Sequence, residues 1–189
     1  MNNPRKIFFS MLVATTLAGC VTNEQFNNEM SVLQDEYRVE NQQTNLAMST
    51  RSFDVDKGRL IKAFIDTFSR KNIAVVNLDK EIGYLLAEGT GFLPPDKHKE
   101  LGLAYVAELN RRTSVQWNYT PGVTTTVFTV NINEVTKNRT RAKVGLSNKA
   151  SAKQHAAYYS EEYPPFTRAR YEELWAELEK SLFIQRNMN

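Results

Sequence analysis

The sequence predicts an α+β fold, in which an antiparallel sheet of about five strands packs against an N-terminal and a C-terminal helix. Two stretches, residues 57–70 and 167–182, carry apolar residues at helical spacing. Between them, shorter stretches alternate apolar and polar residues, as half-buried strands do. Because the strands follow one another in runs and the helices lie at the ends, the order favours α+β over an alternating α/β fold.

The first helix is predicted to begin after Asp56, a residue type that is typical of N-caps. Its buried side would consist of Leu60, Ile61, Phe64, Ile65 and Phe68. Two strands are predicted to follow it, at residues 73–79 and 82–90, joined by a turn.

Pro94 and Pro95 end the second strand, because proline cannot donate a hydrogen bond to a sheet ladder. Residues 96–110 are predicted to be helical, with several apolar side chains roughly aligned. The segment "SVQWNY", residues 114–119, is interpreted as the third strand.

A hairpin is predicted from two alternating stretches, residues 123–135 and 139–146. In the first, Phe128, Val130 and Ile132 alternate with Thr129, Asn131 and Asn133. In the second, Arg139, Arg141 and Lys143 alternate with Thr140, Ala142 and Val144. The two stretches therefore predict an antiparallel pair with one face exposed to water.

The last helix is predicted after a loop at residues 147–165, in which one helical turn is possible. Thr167 is typical of an N-cap, and apolar residues then recur at helical spacing. These residues are Tyr171, Leu174, Trp175, Leu178 and Leu182. We expect Trp175 to be buried in the core.

The first twenty residues have the layout of a secretory signal. Arg5 and Lys6 precede an apolar stretch, residues 7–17, which is too short to span a bilayer. The motif "LAGC" at residues 17–20 follows it and contains Cys20, the single cysteine of the chain. This motif resembles the lipobox of bacterial lipoproteins.

The lipobox resemblance implies that the chain is cleaved before Cys20 and acylated on its thiol and its new amine. Cys20 would then be the lipidation site and would hold the protein on a membrane, since several acyl chains anchor stably where one does not. Position 21 is Val, whereas an Asp there is typical of lipoproteins retained in the inner membrane. The resemblance therefore implies the periplasmic face of the outer membrane.

Three regions are predicted: a signal peptide at 1–19, a polar tether at 20–52 and a single α+β domain at 53–189. The tether contains no Gly or Pro, so an alternative is that it is partly helical. Six of its residues are spaced alternately four and three apart, as in an amphipathic helix over about 24–42. They are Phe26, Met30, Leu33, Tyr37, Glu40 and Thr44. Such a helix would pack on the domain, on a second copy or on a partner.

Composition and motifs disfavour several classes of function. Removal of Arg5 and Lys6 with the signal leaves 22 basic and 21 acidic residues, so general nucleic-acid binding is not expected. G-x-S-x-G, H-E-x-x-H and P-loop motifs do not occur. His98 and His155 are interpreted as ordinary exposed or lightly packed residues. We therefore expect no catalytic residues, no cofactor and no metal.

Two groups of residues are candidates for partner binding. Arg139, Arg141 and Lys143 form a basic stripe that either protects the sheet from aggregation or contacts an acidic partner, lipid headgroups or peptidoglycan. The segment "YYSEEYPPF" either covers the edge of the core or forms an interface. Its candidate residues are Tyr158, Tyr159, Tyr163 and Phe166.

The order of elements over residues 53–184 resembles the helix-grip domains of envelope lipoproteins, such as the C subunit of the outer-membrane barrel-assembly machine. The resemblance implies that partners bind in a groove beside the last helix. The expected function is that of a non-enzymatic scaffold or assembly factor in a secretion, conjugation, pilus or barrel-assembly machine. The alternatives are a carrier or sensor of an apolar ligand and an envelope hydrolase.

Overall fold

A computed structural model describes residues 22–120, 124–149 and 163–187 of the chain. The predicted fold class is confirmed, because these residues form helices packed on a single five-stranded antiparallel sheet. The elements are α1 (Asn23–Met48), β1 (Thr50–Phe53), α2 (Lys57–Arg70), β2 (Ala74–Asp79), β3 (Tyr84–Gly89), α3 (Pro95–Arg112), β4 (Thr125–Thr136), β5 (Arg139–Lys149) and α4 (Pro164–Asn187). The signal segment and Cys20 lie outside the described residues.

The sheet has the strand order β1-β5-β4-β3-β2, and each neighbouring pair is antiparallel. The predicted hairpin is confirmed: β4 and β5 pair from Thr125↔Lys149 to Thr136↔Arg139. The strands predicted at 73–79 and 82–90 correspond to β2 and β3. Strand β5 is therefore an interior strand over residues 140–143, where it pairs with β1 on one side and with β4 on the other.

The prediction of a strand at residues 114–119 is wrong. The backbone N–H of Trp117 donates to Asn110 Oδ1 at 2.6 Å, and Asn110 Nδ2 donates to the Trp117 carbonyl at 3.0 Å. The segment is thus bonded to a side chain of α3 instead of a neighbouring strand. The fifth strand is β1, which pairs with residues 140–143 of β5.

The main core lies between the inner face of the sheet and the helices α2 and α4. Asp56 caps α2 as predicted, since its carboxylate accepts from the Arg59 N–H at 2.8 Å. The hydroxyl of Tyr171 on α4 donates to the Val144 carbonyl of β5 at 3.0 Å. Burial raises the pKa of Tyr171 to about 12. This hydroxyl therefore remains a donor and ties α4 to the sheet.

The segment that the sequence assigns to a tether forms α1 and most of β1. Met30, Leu33 and Tyr37 of α1 are buried in a second apolar cluster with Leu109 of α3. After Tyr37 the buried side continues at Asn41 and Thr44, while Glu40 is exposed. A straight helix has 3.6 residues per turn, so its buried side drifts away from a strict heptad pattern. The predicted helix is thus longer than 24–42 and packs on its own chain.

Polar contacts fasten the N-terminal half of α1 to the end of α3. Arg112 donates to both oxygens of Glu36, at 2.5 and 2.8 Å, and this lowers the pKa of Glu36. The backbone N–H and hydroxyl of Ser114 donate to Glu29 and lower its pKa in the same way. Neither α1 nor any other described helix is long and apolar enough to cross a membrane.

Candidate partner-binding surface

The side of the sheet that faces away from α2 and α4, here called the outer face, carries the basic stripe. Along β5, Thr140, Ala142 and Val144 are buried against the core, whereas the residues that alternate with them are exposed. Because successive side chains of a strand point to opposite sides, Arg139, Arg141 and Lys143 all lie on the outer face. Their Cα atoms repeat about every 7 Å along the strand.

Polar side chains of the neighbouring strands flank these cations. Lys143 is paired with Thr50 on one side and with Asn131 on the other. One step along the strand, Arg141 is paired with Ser52 and Asn133, and all of these partners are exposed. Directly opposed residues in an antiparallel pair have Cβ atoms about 4.5–5.5 Å apart. The outer face thus combines guanidinium, ammonium, amide and hydroxyl groups on a continuous surface.

Two of the three cations have no acidic neighbour in the part of the chain that the structure describes. Arg139 lies 4.0 Å from Asp54, whose side chain is 95% exposed. Further along β5, Lys149 pairs with Glu88 at 2.6 Å. For Arg141 and Lys143, no described carboxylate lies within 4 Å. The electrostatic potential around Arg141 and Lys143 is therefore positive, and both side chains can bind an external anion.

An aromatic ring extends the same surface toward the far edge of the sheet. Tyr84 of β3 is paired with Asn131, so that Thr50, Lys143, Asn131 and Tyr84 form one row across four strands. Tyr84 is half-buried. Its ring offers an apolar contact beside the polar groups, a combination that is common at protein interfaces.

The predicted aromatic candidates do not join this surface. The Tyr163 ring packs 5.6 Å from Tyr37 and 5.5 Å from Tyr105, within the helical layer. Phe166 is 8% exposed and lies 5.2 Å from the ring of His98. Both residues therefore stabilise the packing of α1, α3 and α4 and are left out of the proposed surface. Tyr158 and Tyr159 lie outside the described residues.

On the side of α4 that faces α2 and the sheet, the groove expected beside the last helix is occupied by the chain itself. Helix α4 packs against both α1 and α2. Between α2, α4 and the sheet, the space is filled by aromatic rings, with Phe68 at 5.1 Å and Phe92 at 4.7 Å from Phe128. On its other side, α4 borders a shallow depression that is lined by one of its own residues, Arg168, and by residues of α1: Asp35, Glu36, Val39, Glu40 and Gln43.

A metal site requires several His, Cys, Asp or Glu side chains that lie close together. Within residues 22–120, 124–149 and 163–187, no three His, Cys, Asp or Glu residues come together in an arrangement that would hold a metal ion. His98 packs against Phe166, and His155 lies outside these ranges.

Sequence reasoning missed the residues that flank the stripe. From the sequence, Asn131 and Asn133 could be assigned only to the polar side of a strand. The register of the hairpin is needed to show that they lie beside Lys143 and Arg141. Thr50 and Ser52 lie on a strand that was not predicted.

Comparison with known proteins does not assign the chain to a family. No protein-family model matches it, and no curated protein matches it.

Proposed function

We propose that this protein is a lipid-anchored, non-enzymatic scaffold or assembly factor at the periplasmic face of the outer membrane, and that it binds an acidic protein partner through the outer face. The observation that carries the proposal is the row of three exposed cations on β5, two of which have no carboxylate within 4 Å among the described residues. The machine that it serves would be a secretion, conjugation, pilus or barrel-assembly apparatus.

The position of the stripe favours binding over protection against aggregation. Charges protect a sheet when they lie on an edge strand, where unpaired N–H and C=O groups attract another chain. Arg141 and Lys143 lie on β5, which is paired on both sides at these residues, with β1 and with β4. No free edge exists there to protect. Clustered cations on an interior strand instead suit an anionic partner and speed its association.

The short distance between Cys20 and α1 supports a position of the folded protein beside the membrane. Thr22 caps α1 by accepting from the Gln25 N–H at 3.1 Å, only two residues after Cys20. Two or three extended residues span about 10 Å at most. An anchor at Cys20 would therefore hold the folded protein against the bilayer, where it would meet membrane-associated partners.

The anchor is tested by Cys20→Ala. Loss of the thiol removes the acceptor of the diacylglyceryl group, so we expect an uncleaved precursor that no longer carries acyl label. Pulse labelling with a fatty acid and fractionation of the envelope measure both effects. Acyl label and outer-membrane fractionation that persist in Cys20→Ala would contradict the lipobox interpretation.

The outer face is tested by reversing its charges in Arg139→Glu/Arg141→Glu/Lys143→Glu. A photo-crosslinking amino acid at Asn133 reports partners in intact cells. Because attraction becomes repulsion, we expect the yield of the adduct to fall about tenfold or more. In isolated membranes, the parent adduct should also weaken as salt rises, since exposed charges are screened over about 8 Å at physiological ionic strength.

A matched variant controls for the change in net charge. Lys62, Lys99 and Arg186 are exposed cations on the helices, and their reversal to Glu alters the charge equally. The adduct should persist in this control. An adduct from Asn133 that survives reversal of the stripe would show that the cations do not bind the partner.

A further inference from the structure

A line of exposed apolar residues runs along the outside of α1. Val32, Val39 and Leu46 are 56%, 50% and 86% exposed, and consecutive members are seven residues apart. They make up three of the nine large apolar residues that are exposed within the described ranges. Single exposed apolar residues are ordinary, whereas exposed apolar residues that share one side of a helix are suited to contact another helix.

This line is distinct from the side of α1 that packs on the domain. At about 100° per residue, Val39 points roughly 160° away from Tyr37, which is buried against Tyr105 of α3 and Tyr163. Seven-residue spacing displaces each member by only about 20° from the last, which keeps the three side chains on one side. The line can therefore meet another helix without displacing the domain.

We propose that this line binds the same line of a second copy, with the two α1 helices antiparallel about a two-fold axis at Val39. That symmetry places Val39 against its own copy and Val32 against Leu46 of the other chain. Such a contact is isologous, as in most homodimers. The apolar residues would then be covered along the length of both helices.

The polar residues beside the line favour the antiparallel arrangement. The Asp35 carboxylate, which is exposed and accepts from Arg38 through one oxygen, would lie near Gln43 of the second copy, whose amide group can donate to it. Glu36 is bonded to Arg112 of its own chain and does not take part. In a parallel pair Asp35 would instead face the Asp35 of the other copy, and like charges in contact are destabilising. Val39 lies among three carboxylates, of Asp35, Glu36 and Glu40, and one cation, Arg168, so an anionic membrane is a poor occupant of this acidic surface.

Three apolar side chains per copy provide a small interface, so the contact is weak between molecules free in solution. Anchoring of both copies in one membrane raises their effective concentration. This part of the inference, membrane-dependent pairing, rests on the proposed lipid anchor; the pairing itself does not.

The test is disulfide trapping of Val39→Cys in the full chain, in isolated membranes treated with a mild oxidant. Two Cβ atoms must lie within about 4.5 Å to be bridged, and the two-fold axis brings residue 39 against its own copy. The matched control is Val76→Cys, because Val76 is 55% exposed on the edge strand β2. We expect about tenfold more disulfide-linked dimer from Val39→Cys than from the control.

Mixed membranes that hold Val32→Cys and Leu46→Cys copies determine the direction of the helices. The antiparallel pair predicts a crosslink between the two variants, whereas a parallel pair predicts crosslinks of each variant with itself. A yield from Val39→Cys equal to that from Val76→Cys, or a dominance of self-crosslinks, overturns the proposal.

The same variants in a Cys20→Ala background, at raised protein concentration, separate this inference from the proposed function. Removal of Cys20 excludes crosslinks through that thiol. Dimer formation in this background supports the pairing of α1 even where the anchor proposal fails. Absence of the Val39→Cys dimer at every concentration overturns the pairing while leaving the anchor and the outer face as proposed.

Discussion

Replacement of Trp175 with Ala is expected to lower the free energy of unfolding by about 3–5 kcal/mol. The side chain is 1% exposed, and its ring lies 6.0 Å from Phe53 and 6.4 Å from Phe64. Its Nε1 donates to the Met48 carbonyl at 2.8 Å. The residue thus joins α4 to α2, to β1 and to the end of α1, and its loss leaves a cavity at their junction. Denaturant unfolding followed by far-ultraviolet circular dichroism measures the change.

Two variants serve as controls for Trp175→Ala. Trp175→Phe keeps most of the ring but loses the donor to Met48, so its effect should be smaller. Phe183→Ala removes an aromatic side chain from the same helix at a position that is 68% exposed, and should change stability by no more than about 0.5 kcal/mol. An unchanged unfolding midpoint in Trp175→Ala would mean that α4 is peripheral to the core.

The second large effect is expected from Leu33→Ala on α1. Leu33 is 1% exposed, in a cluster with Met30, Tyr37 and Leu109. Loss of a buried leucine costs about 2–5 kcal/mol, and the small size of this cluster favours the lower part of that range. We expect faster hydrogen exchange throughout α1 together with a lower unfolding midpoint.

The control for Leu33→Ala is Leu103→Ala, which makes the same chemical change at a residue that is 49% exposed on α3. It should leave the exchange of α1 amides unchanged. If the α1 amides exchanged at the same rate in Leu33→Ala and Leu103→Ala, the contacts of α1 would contribute little to stability. Residues 23–48 would then behave as the polar tether that their composition indicates.

Helices and strands whose apolar residues recur with a clear period could be predicted from the sequence. Elements that form only by pairing with residues far away in the chain could not. Phe64 and Phe68 on α2, like Leu174 and Leu178 on α4, recur at helical spacing and are all buried. By contrast, "TRSF" at residues 50–53 has no apolar alternation. Its strand depends on pairing with β5 and on Phe53 packing against Trp175.

The same distinction holds for the candidate surface. The common direction of Arg139, Arg141 and Lys143 follows from the two-residue period of a strand, so it could be read from the sequence. Whether Tyr163 and Phe166 are exposed or packed could not be predicted from the sequence, because aromatic residues before a helix are equally suited to a core and to an interface. Their contacts with Tyr37, Tyr105 and His98 come from helices far away in the chain.

A single residue, Ser49, separates α1 from β1, and this has a mechanical consequence. Helix α1 is a rod of about 39 Å. It begins beside the proposed anchor, and it ends where the Met48 carbonyl is bonded to Trp175. Because only Ser49 separates the two elements, a tilt of the helix turns the sheet through the same angle. With the anchor proposed above, such a tilt would change the direction in which the sheet presents its cations.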